Sequence, residues 1–300
     1  MSRVAPWHQA NWDYRAAGNF IGGGSGTGLL LFASVAATQG APFWVTGLMA
    51  LALVAGGLGF VSLEIGRPLR SLNVFLHPRT SWMTREAIVA PLLLGTGLAA
   101  ILLGSMAMLW VAALLGMLFL YCQGRILFAS KGIPAWRQTG VVALIMVTGL
   151  TEGAGMLAAV LPWIAPETPL RWLLGSLFLL LLARTVVWRS YFNRLSASGA
   201  PGKTLAVFAR FDKLFLMVGN GLPALLAVTL FAGGGAITSL LAGILAVAGG
   251  WALKFTLIAR AAHNQGFALL KSPVRGKGQP GSGAKPGWTL PAEDSGQGRA

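Results

Sequence analysis

The segment from residue 64 to residue 86 combines several side chains that could do acid–base chemistry. It reads EIGRPLRSLNVFLHPRTSWMTRE and contains the carboxylates Glu64 and Glu86, four arginines, His77 and Trp82. Carboxylates and imidazoles are the commonest groups that exchange protons in catalysis, and arginine donates hydrogen bonds to carbonyl oxygens. At a membrane edge, such a set could bind the carbonyl oxygens of a quinone and supply the protons that its reduction requires. The alternative is an ordinary basic loop next to an aromatic residue of the interfacial belt.

Three polar residues elsewhere in the chain are further candidates. Asn19 lies near the start of the first apolar segment and Tyr121 near the end of the fourth, and both could contact a quinone. The alternative for Asn19 is helix capping or packing, and the alternative for Tyr121 is a belt position. Glu152 lies near the middle of the fifth apolar segment, where an ionisable group is costly and is a functional candidate by default. It could instead be protonated, or paired with Arg184 or Lys254.

The elements that must position these residues are transmembrane helices. Apolar residues make up 55% of the 300 residues and charged residues 10%, whereas a soluble domain has about 25% charged residues. This composition excludes a soluble enzyme, a disordered protein and a fibrous protein. Because a helix needs ~20 apolar residues to cross the hydrocarbon core, the sequence predicts an all-α bundle of eight spans. They are residues 17–39, 43–63, 84–104, 106–127, 138–163, 170–193, 206–232 and 235–261.

The polar ends of the chain complete the predicted domain organisation. Residues 1–16 form an interfacial segment, residues 17–262 form the eight-helix domain, and residues 263–300, which lack apolar periodicity, form a disordered cytoplasmic tail. The glycine-rich run at 22–28 lacks the spacing of a nucleotide-binding loop. Its small residues four apart instead predict close helix packing.

The basic residues follow the alternation of the predicted spans. The chain has 23 Lys and Arg against 8 Asp and Glu, a net charge of +15. If the termini share a side with the loops after the second, fourth and sixth spans, 22 of the 23 basic residues lie on that side or at its helix ends, and only Arg171 lies opposite. The positive-inside rule then predicts a multi-pass protein of the inner (cytoplasmic) membrane, with both termini cytoplasmic. This topology explains the positive charge without a nucleic-acid partner.

Cysteine and histidine counts limit the redox groups that this chain could hold. Its single cysteine, Cys122, cannot hold an iron–sulfur cluster, which needs about four thiolates. A bis-histidine haem needs two imidazoles inside the bundle, whereas His8, His77 and His263 all lie outside the predicted spans. The sequence therefore predicts no haem, iron–sulfur cluster, molybdenum or other metal in this chain.

Two motifs of this sequence resemble a known family. Gly-Arg-Pro at 66–68, followed by Ser-Trp-Met-Thr-Arg-Glu at 81–86, resembles the membrane anchor subunits of molybdopterin oxidoreductases, of the dimethyl sulfoxide reductase and polysulfide reductase types. The run WDYRAAGNF at 12–20 and the glycines after it look most like the membrane subunits of phenylacetyl-CoA:acceptor oxidoreductases. The resemblance is specific over residues 7–90 and rests on hydropathy beyond them.

The resemblance implies a quinone-reactive anchor. Its partners would be an iron–sulfur electron-transfer subunit and a molybdopterin catalytic subunit on the cytoplasmic side, besides membrane lipid, and its cofactor would be menaquinone or ubiquinone. Glu86 matches the essential glutamate of the dimethyl sulfoxide reductase anchor. Glu64 stands where that anchor has a histidine, so His77 could supply the missing imidazole.

These arguments define one set of candidate site residues and leave two alternatives for the function. The catalytic candidates are Glu86 and His77, and the quinone-binding candidates are Asn19, Glu64, Arg67, Trp82, Arg85 and Tyr121. The alternatives are an eight-span transporter, for which broken helices and polar groups at the midplane are expected, and a structural anchor without a quinone site.

Overall fold

The described part of the protein is a bundle of eight helices that are long and apolar enough to cross a membrane, which confirms the predicted all-α membrane fold. The computed structural model describes residues 5–63, 73–169, 171–231 and 235–266. In chain order the helices are α1 (Tyr14–Ala37), α2 (Trp44–Ser62), α3 (Trp82–Leu103), α4 (Met106–Ala129), α5 (Val141–Ile164), α6 (Arg171–Ala197), α7 (Gly202–Leu230) and α8 (Ala236–Arg260). Their ends differ from the predicted ends by no more than four residues.

Local signals set the helix ends. The side chains of Asp13, Ser81 and Ser105 each accept a backbone N–H from the first turn of α1, α3 and α4 respectively, as N-cap residues do. Hydrogen bonds from Arg15 also lower the pKa of Asp13 below its usual value. Gly104 adopts the left-handed conformation at a φ of 60°, which ends α3 and lets α4 begin two residues later.

The centre of the bundle is formed by α1 and α5. In their most apolar windows 78% and 72% of the residues are buried, against 28–44% in the other six helices. Glycines permit this close packing, as the sequence predicted. A Cβ added at Gly22 or Gly26 would lie 2.5 Å from a carbonyl oxygen of α2, and one added at Gly28 would overlap the backbone of Gly149 on α5.

We expect Gly28→Ala to destabilise the bundle. The added methyl group would meet backbone of α5, which cannot move aside as a flexible side chain can, and overpacking typically costs about 1–3 kcal/mol. Thermal unfolding in mild detergent should therefore show a lower midpoint. Gly56→Ala is the matched control, because nothing lies within 4 Å of a Cβ added there. Equal midpoints for the two variants would contradict the close α1–α5 contact.

Two of the spans depart from α-helical geometry. The middle of α7 is a π-helix over Phe215–Gly221, and α8 ends in a π-helix over Thr256–Arg260. Such irregularities free backbone carbonyl groups and often occur at functional sites. They were not predicted from the sequence.

At one end of the bundle lie the N-terminal ends of α1, α3, α5 and α7 and the C-terminal ends of the other four helices. We call this end the terminal face. There the N-terminal segment packs on the end of α8. His8 and His263 form an antiparallel bridge, with their rings edge to face at 5.0 Å, and the Trp7 N–H donates to Asn264 Oδ1 at 3.0 Å. Packed residues therefore continue past the predicted boundary at 262, and the rest of the predicted tail, from 267 on, lies outside the described residues.

Candidate functional site

Glu86 is a buried carboxylate at the terminal face. It lies in the second turn of α3 and is 7% exposed. Asn19 of α1 donates from Nδ2 to Glu86 Oε1 at 3.3 Å. Gln123 of α4 in turn donates to the backbone carbonyl of Asn19 at 3.0 Å. Three helices thus fix the carboxyl group, and the structure brings together two residues that the sequence assigned to one site.

A cavity of about 680 Å³ lies beside Glu86. Glu86, Asn19 and Ser62 are polar residues of its wall, which is otherwise formed largely by apolar side chains of α1, α2 and α3, such as Leu58 and Leu94. Small-molecule sites commonly have volumes of about 300–1,000 Å³ and apolar walls with a few convergent polar groups. This cavity has both properties.

A proline inside α3 leaves one backbone carbonyl group without its helical donor. Pro91 lies inside α3 and has no N–H, so the carbonyl of Ala87 lacks the donor that would normally lie four residues on. Both residues line the cavity.

Trp82, Tyr121 and two arginines form an aromatic–cationic cluster next to the cavity. The Trp82 and Tyr121 rings meet edge to face at 5.6 Å. The guanidinium groups of Arg85 and Arg125 lie 4.0 and 4.6 Å from the centroid of the indole, which is cation–π geometry. Arg125 also donates to Tyr121 Oη at 3.2 Å. None of these four side chains lines the cavity, so the cluster connects α3 to α4 beside the cavity and forms no part of its wall.

His77 does not reach the cavity. It is exposed in the connection between α2 and α3 and is not one of the residues of the cavity wall. Its backbone carbonyl accepts the N–H of Ser81 at 3.0 Å. Arg85 holds the same connection by donating to the carbonyl oxygens of Pro78 and Arg79 at 2.9 and 2.8 Å.

Two of the predicted quinone-binding residues cannot be placed. Glu64 and Arg67 lie outside the described residues, as do all residues from 64 to 72. Phe75 and Leu76, which follow shortly after, are 44% and 65% exposed, and Phe75 lines the cavity.

The interior of the bundle contains a second polar cluster, which the sequence analysis did not assemble. Glu152 Oε2 accepts from Lys254 Nζ at 2.6 Å and from Ser25 Oγ at 2.7 Å. The indole N–H of Trp251 donates to Ser25 Oγ at 2.9 Å. The Glu152 and Lys254 side chains are 0% exposed. Of the alternatives open for Glu152, the structure shows pairing with Lys254.

Arg184 is buried close to this cluster but has partners of its own. It donates to Asn220 Oδ1 at 2.8 Å, to the Ala246 carbonyl at 3.0 Å and to the Gly219 carbonyl at 2.5 Å. In a regular helix the Gly219 carbonyl would accept from residue 223, which is Pro223 and has no N–H. The oxygen that Arg184 uses is therefore one that Pro223 leaves without its helical donor.

The burial of Arg184 and Lys254 corrects the sequence analysis. Both were counted among the 22 basic residues at or beside the cytoplasmic side, and the structure instead places them at 0% exposure inside the bundle. The error came from treating every basic residue near a helix end as one that reaches the interface, as long basic side chains often do. The presence of Glu152 at a similar depth was the available signal that they have an interior partner.

A second cavity, of about 580 Å³, lies between α2, α5 and α8. Its wall includes Met49, Leu53, Met156 and Trp251 but no ionisable residue. The indole N–H of Trp251 is already bonded to Ser25. This cavity therefore offers shape and apolar surface but no group that could exchange a proton.

No protein-family model and no curated protein matches this chain. Among the described residues, no three or more His, Cys, Asp or Glu side chains form a group that could hold a metal ion. What the chain does must therefore be argued from the two polar clusters and the two cavities.

Proposed function

We propose that this protein is the membrane anchor and quinone-binding subunit of a molybdenum/iron–sulfur oxidoreductase. It would pass electrons between a cytoplasmic iron–sulfur subunit and the quinone pool of the inner membrane. The observation that carries the proposal is the buried Glu86–Asn19 pair in the wall of an otherwise apolar cavity at one end of the bundle. The resemblance of the 66–68 and 81–86 motifs to such anchors supports it, and the run at 12–20 makes oxidation of phenylacetyl-CoA the substrate chemistry that we propose for the complex.

The residues of the cavity fit a quinone. A quinone needs an apolar slot for its ring, hydrogen-bonding groups at its two oxygens and, on reduction by two electrons, two protons. Apolar side chains such as Phe20 and Leu94 supply the slot. Asn19 Oδ1 is buried and accepts no hydrogen bond from the described residues, so it is free to accept one from a quinol hydroxyl.

Glu86 is the proton-exchanging group in this proposal. Its Oε1 accepts from Asn19 Nδ2 at 3.3 Å, and Glu86 lines the cavity, where a ligand can reach it. A carboxyl group in an apolar wall can give a proton to a quinone oxygen or take one from a quinol hydroxyl, depending on the direction of electron flow. In this proposal the proton passes directly between Glu86 and a ligand bound in the cavity.

One observation favours a transporter as the second candidate. A transporter is expected to carry polar groups at the midplane beside interrupted helices, and the structure has both in Glu152, Lys254, Arg184 and the π-helix of α7. Against this candidate, the described cavity with ionisable residues lies at the terminal face and not beside these groups.

Binding of a fluorescent quinol analogue tests the proposed function. We expect heptylhydroxyquinoline N-oxide to bind the purified full chain in mild detergent with quenching of its fluorescence. Ala87→Phe should abolish binding because it fills the cavity beside Glu86. Ala248→Phe fills the second cavity and is the matched control that should still bind.

The chain purified from its native host should also bring along an iron–sulfur and a molybdopterin subunit, and by itself it should show no haem spectrum.

Two results would overturn the proposal. One is a purified chain that neither binds the analogue nor brings along a redox subunit. The other is equal loss of binding in both phenylalanine variants, because binding would then not depend on the cavity beside Glu86.

Topology supplies an independent prediction. The proposed cytoplasmic position of the partners requires the terminal face to be cytoplasmic, since the cavity and Glu86 lie there. A reporter fused after Ala300 should therefore be active when it is of a type that works in the cytoplasm. Activity of a reporter that requires export would instead place the terminal face, and with it the partners, outside the cytoplasm.

A further inference from the structure

We propose that the Glu152–Lys254 pair is a proton-relay site that exchanges protons with Glu86. The protons would pass along a row of buried polar side chains next to α1, which we call the file. The inference rests on the proposed function, because it assigns the source or destination of the protons exchanged at Glu86. The ligand of this site is the proton itself, carried by water and by the two charged side chains. Electrons are not part of the relay and come from the iron–sulfur subunit proposed as the partner.

At each end of the file a carboxyl group accepts a hydrogen bond from a side chain of α1. At the terminal face Asn19 donates to Glu86 at 3.3 Å, and in the interior Ser25 donates to Glu152 at 2.7 Å. Asn19 and Ser25 lie six positions apart on α1, which corresponds to a rise of ~9 Å and to directions ~120° apart around the helix axis. The file therefore winds around a single, central helix from one carboxyl group to the other.

Glycines of α1 make room for the side chains between these ends. A Cβ added at Gly23 would overlap the amide nitrogen of Gln123, and one added at Gly24 would overlap Lys254 Nζ. Gln123 is bonded to the Asn19 carbonyl at 3.0 Å, and Lys254 to Glu152 at 2.6 Å. Two adjacent glycines therefore bring a polar side chain of α4 and one of α8 against neighbouring positions of α1.

Unpartnered oxygen atoms are concentrated along this file. Six buried side-chain polar atoms of the described residues have no hydrogen-bond partner, and four of them belong to the file or border it: Asn19 Oδ1, Gln123 Oε1, Thr148 Oγ1 and Glu152 Oε1. Thr148 lies one helical turn before Glu152 on α5. Buried polar atoms without a protein partner usually bind water, and water between such oxygens conducts protons.

The relay moves one proton at a time. After Glu86 gives its proton to the ligand, one proton leaves the Lys254 ammonium, passes through water held by Gln123 and Asn19, and restores the Glu86 carboxyl group. Lys254 is then a neutral amine beside Glu152 until a proton supplied by bulk water, and passed on by the interior water, restores the ammonium group. Arg184, which is the other charged group near Glu152, keeps its charge in its hydrogen bonds to α7 and α8. Proton flow is reversed when quinol is oxidised.

The test uses the complex purified through a tag on this chain, with electrons fed from reduced methyl viologen to decylubiquinone. We expect Glu152→Gln to slow this turnover by about tenfold or more, as loss of a proton-transfer group does. Thr148→Val removes one hydroxyl without removing a charge and should slow it severalfold. In both variants the slowing should be larger in D₂O than for the unmodified chain, because proton delivery limits the rate. Glu167→Gln, an exposed carboxylate between α5 and α6, is the matched control.

A combined variant keeps the test decisive if one change alone prevents folding. Glu152→Gln with Lys254→Met removes both charges and leaves no unpaired ion, and its turnover should be as low as that of Glu152→Gln. Binding of heptylhydroxyquinoline N-oxide should stay within twofold in all variants. If Thr148→Val and the combined variant assemble, bind the analogue and turn over at the rate of the unmodified chain, the relay is overturned and the proposed function stands. If the unmodified chain binds no analogue, the proposed function fails and the relay with it.

Discussion

Glu86→Gln is expected to abolish quinone-linked turnover while the complex remains assembled. Glutamine keeps the size of glutamate, and its carbonyl oxygen can still accept the hydrogen bond from Asn19 Nδ2 that the structure shows at 3.3 Å. It cannot give or take the proton that a quinone oxygen exchanges. General acid–base groups contribute on the order of 10²–10⁴ in rate, so turnover of decylubiquinone with reduced viologen should fall by about that factor.

Two further measurements separate a chemical role of Glu86 from a structural one. The variant should bind heptylhydroxyquinoline N-oxide nearly as well as the unmodified chain, because the apolar wall of the cavity is intact. Glu167→Gln makes the same change at an exposed position and should leave turnover unchanged. Normal turnover in an assembled Glu86→Gln complex would show that Glu86 only supports the packing of α3 on α1.

The architecture could be predicted from the sequence because its signal is local. Each span is a continuous apolar segment of about twenty residues, and a helix in lipid must satisfy its own backbone hydrogen bonds. The ends followed equally local signals, such as the serines that cap α3 and α4 and Gly104 between them. Glycine spacing in α1 likewise predicted close packing, which the contact of Gly28 with α5 confirms.

The site was predicted only in part, because its geometry depends on contacts between distant segments. Asn19 and Glu86 were assigned to one site through their positions near the same end of their helices, and they do meet. His77 was assigned by its place in the sequence, yet a residue in a connection can face either the bundle or the outside, and this one is exposed. Arg125, which lies on the Trp82 ring, was not among the candidates, because pairing across α3 and α4 leaves no pattern in the sequence.

The interior cluster shows why a count of charges by position is incomplete. Glu152, Arg184 and Lys254 are separated by 32 and 70 residues along the chain, so no motif connects them. A second signal, for Arg184, was present in the segment GNGLP at 219–223. A proline four residues after a glycine inside a span frees a carbonyl group, and in a membrane such a group must find another donor. Arg184 is that donor.

Lys254→Met is expected to prevent the protein from accumulating in folded form, whereas the same change combined with Glu152→Gln should restore it. Methionine alone leaves the Glu152 carboxylate without the ammonium group that lies 2.6 Å away, in an interior where both side chains are 0% exposed. Breaking a buried ion pair in this way costs about 3–5 kcal/mol, while replacing both partners by neutral side chains is often neutral or stabilising.

The yield of monodisperse protein in mild detergent and its thermal midpoint measure this difference. Lys213→Met, at an exposed position of α7, is the matched control and should behave as the unmodified chain. If the combined variant is as unstable as Lys254→Met alone, the loss comes from the packing of the lysine stem against α1 and not from an uncompensated charge. If it is stable, as we expect, the two charges are dispensable for the fold, and the desolvation cost that they impose in the middle of the bundle requires a functional reason. Proton transfer to Glu86 is the reason that we propose.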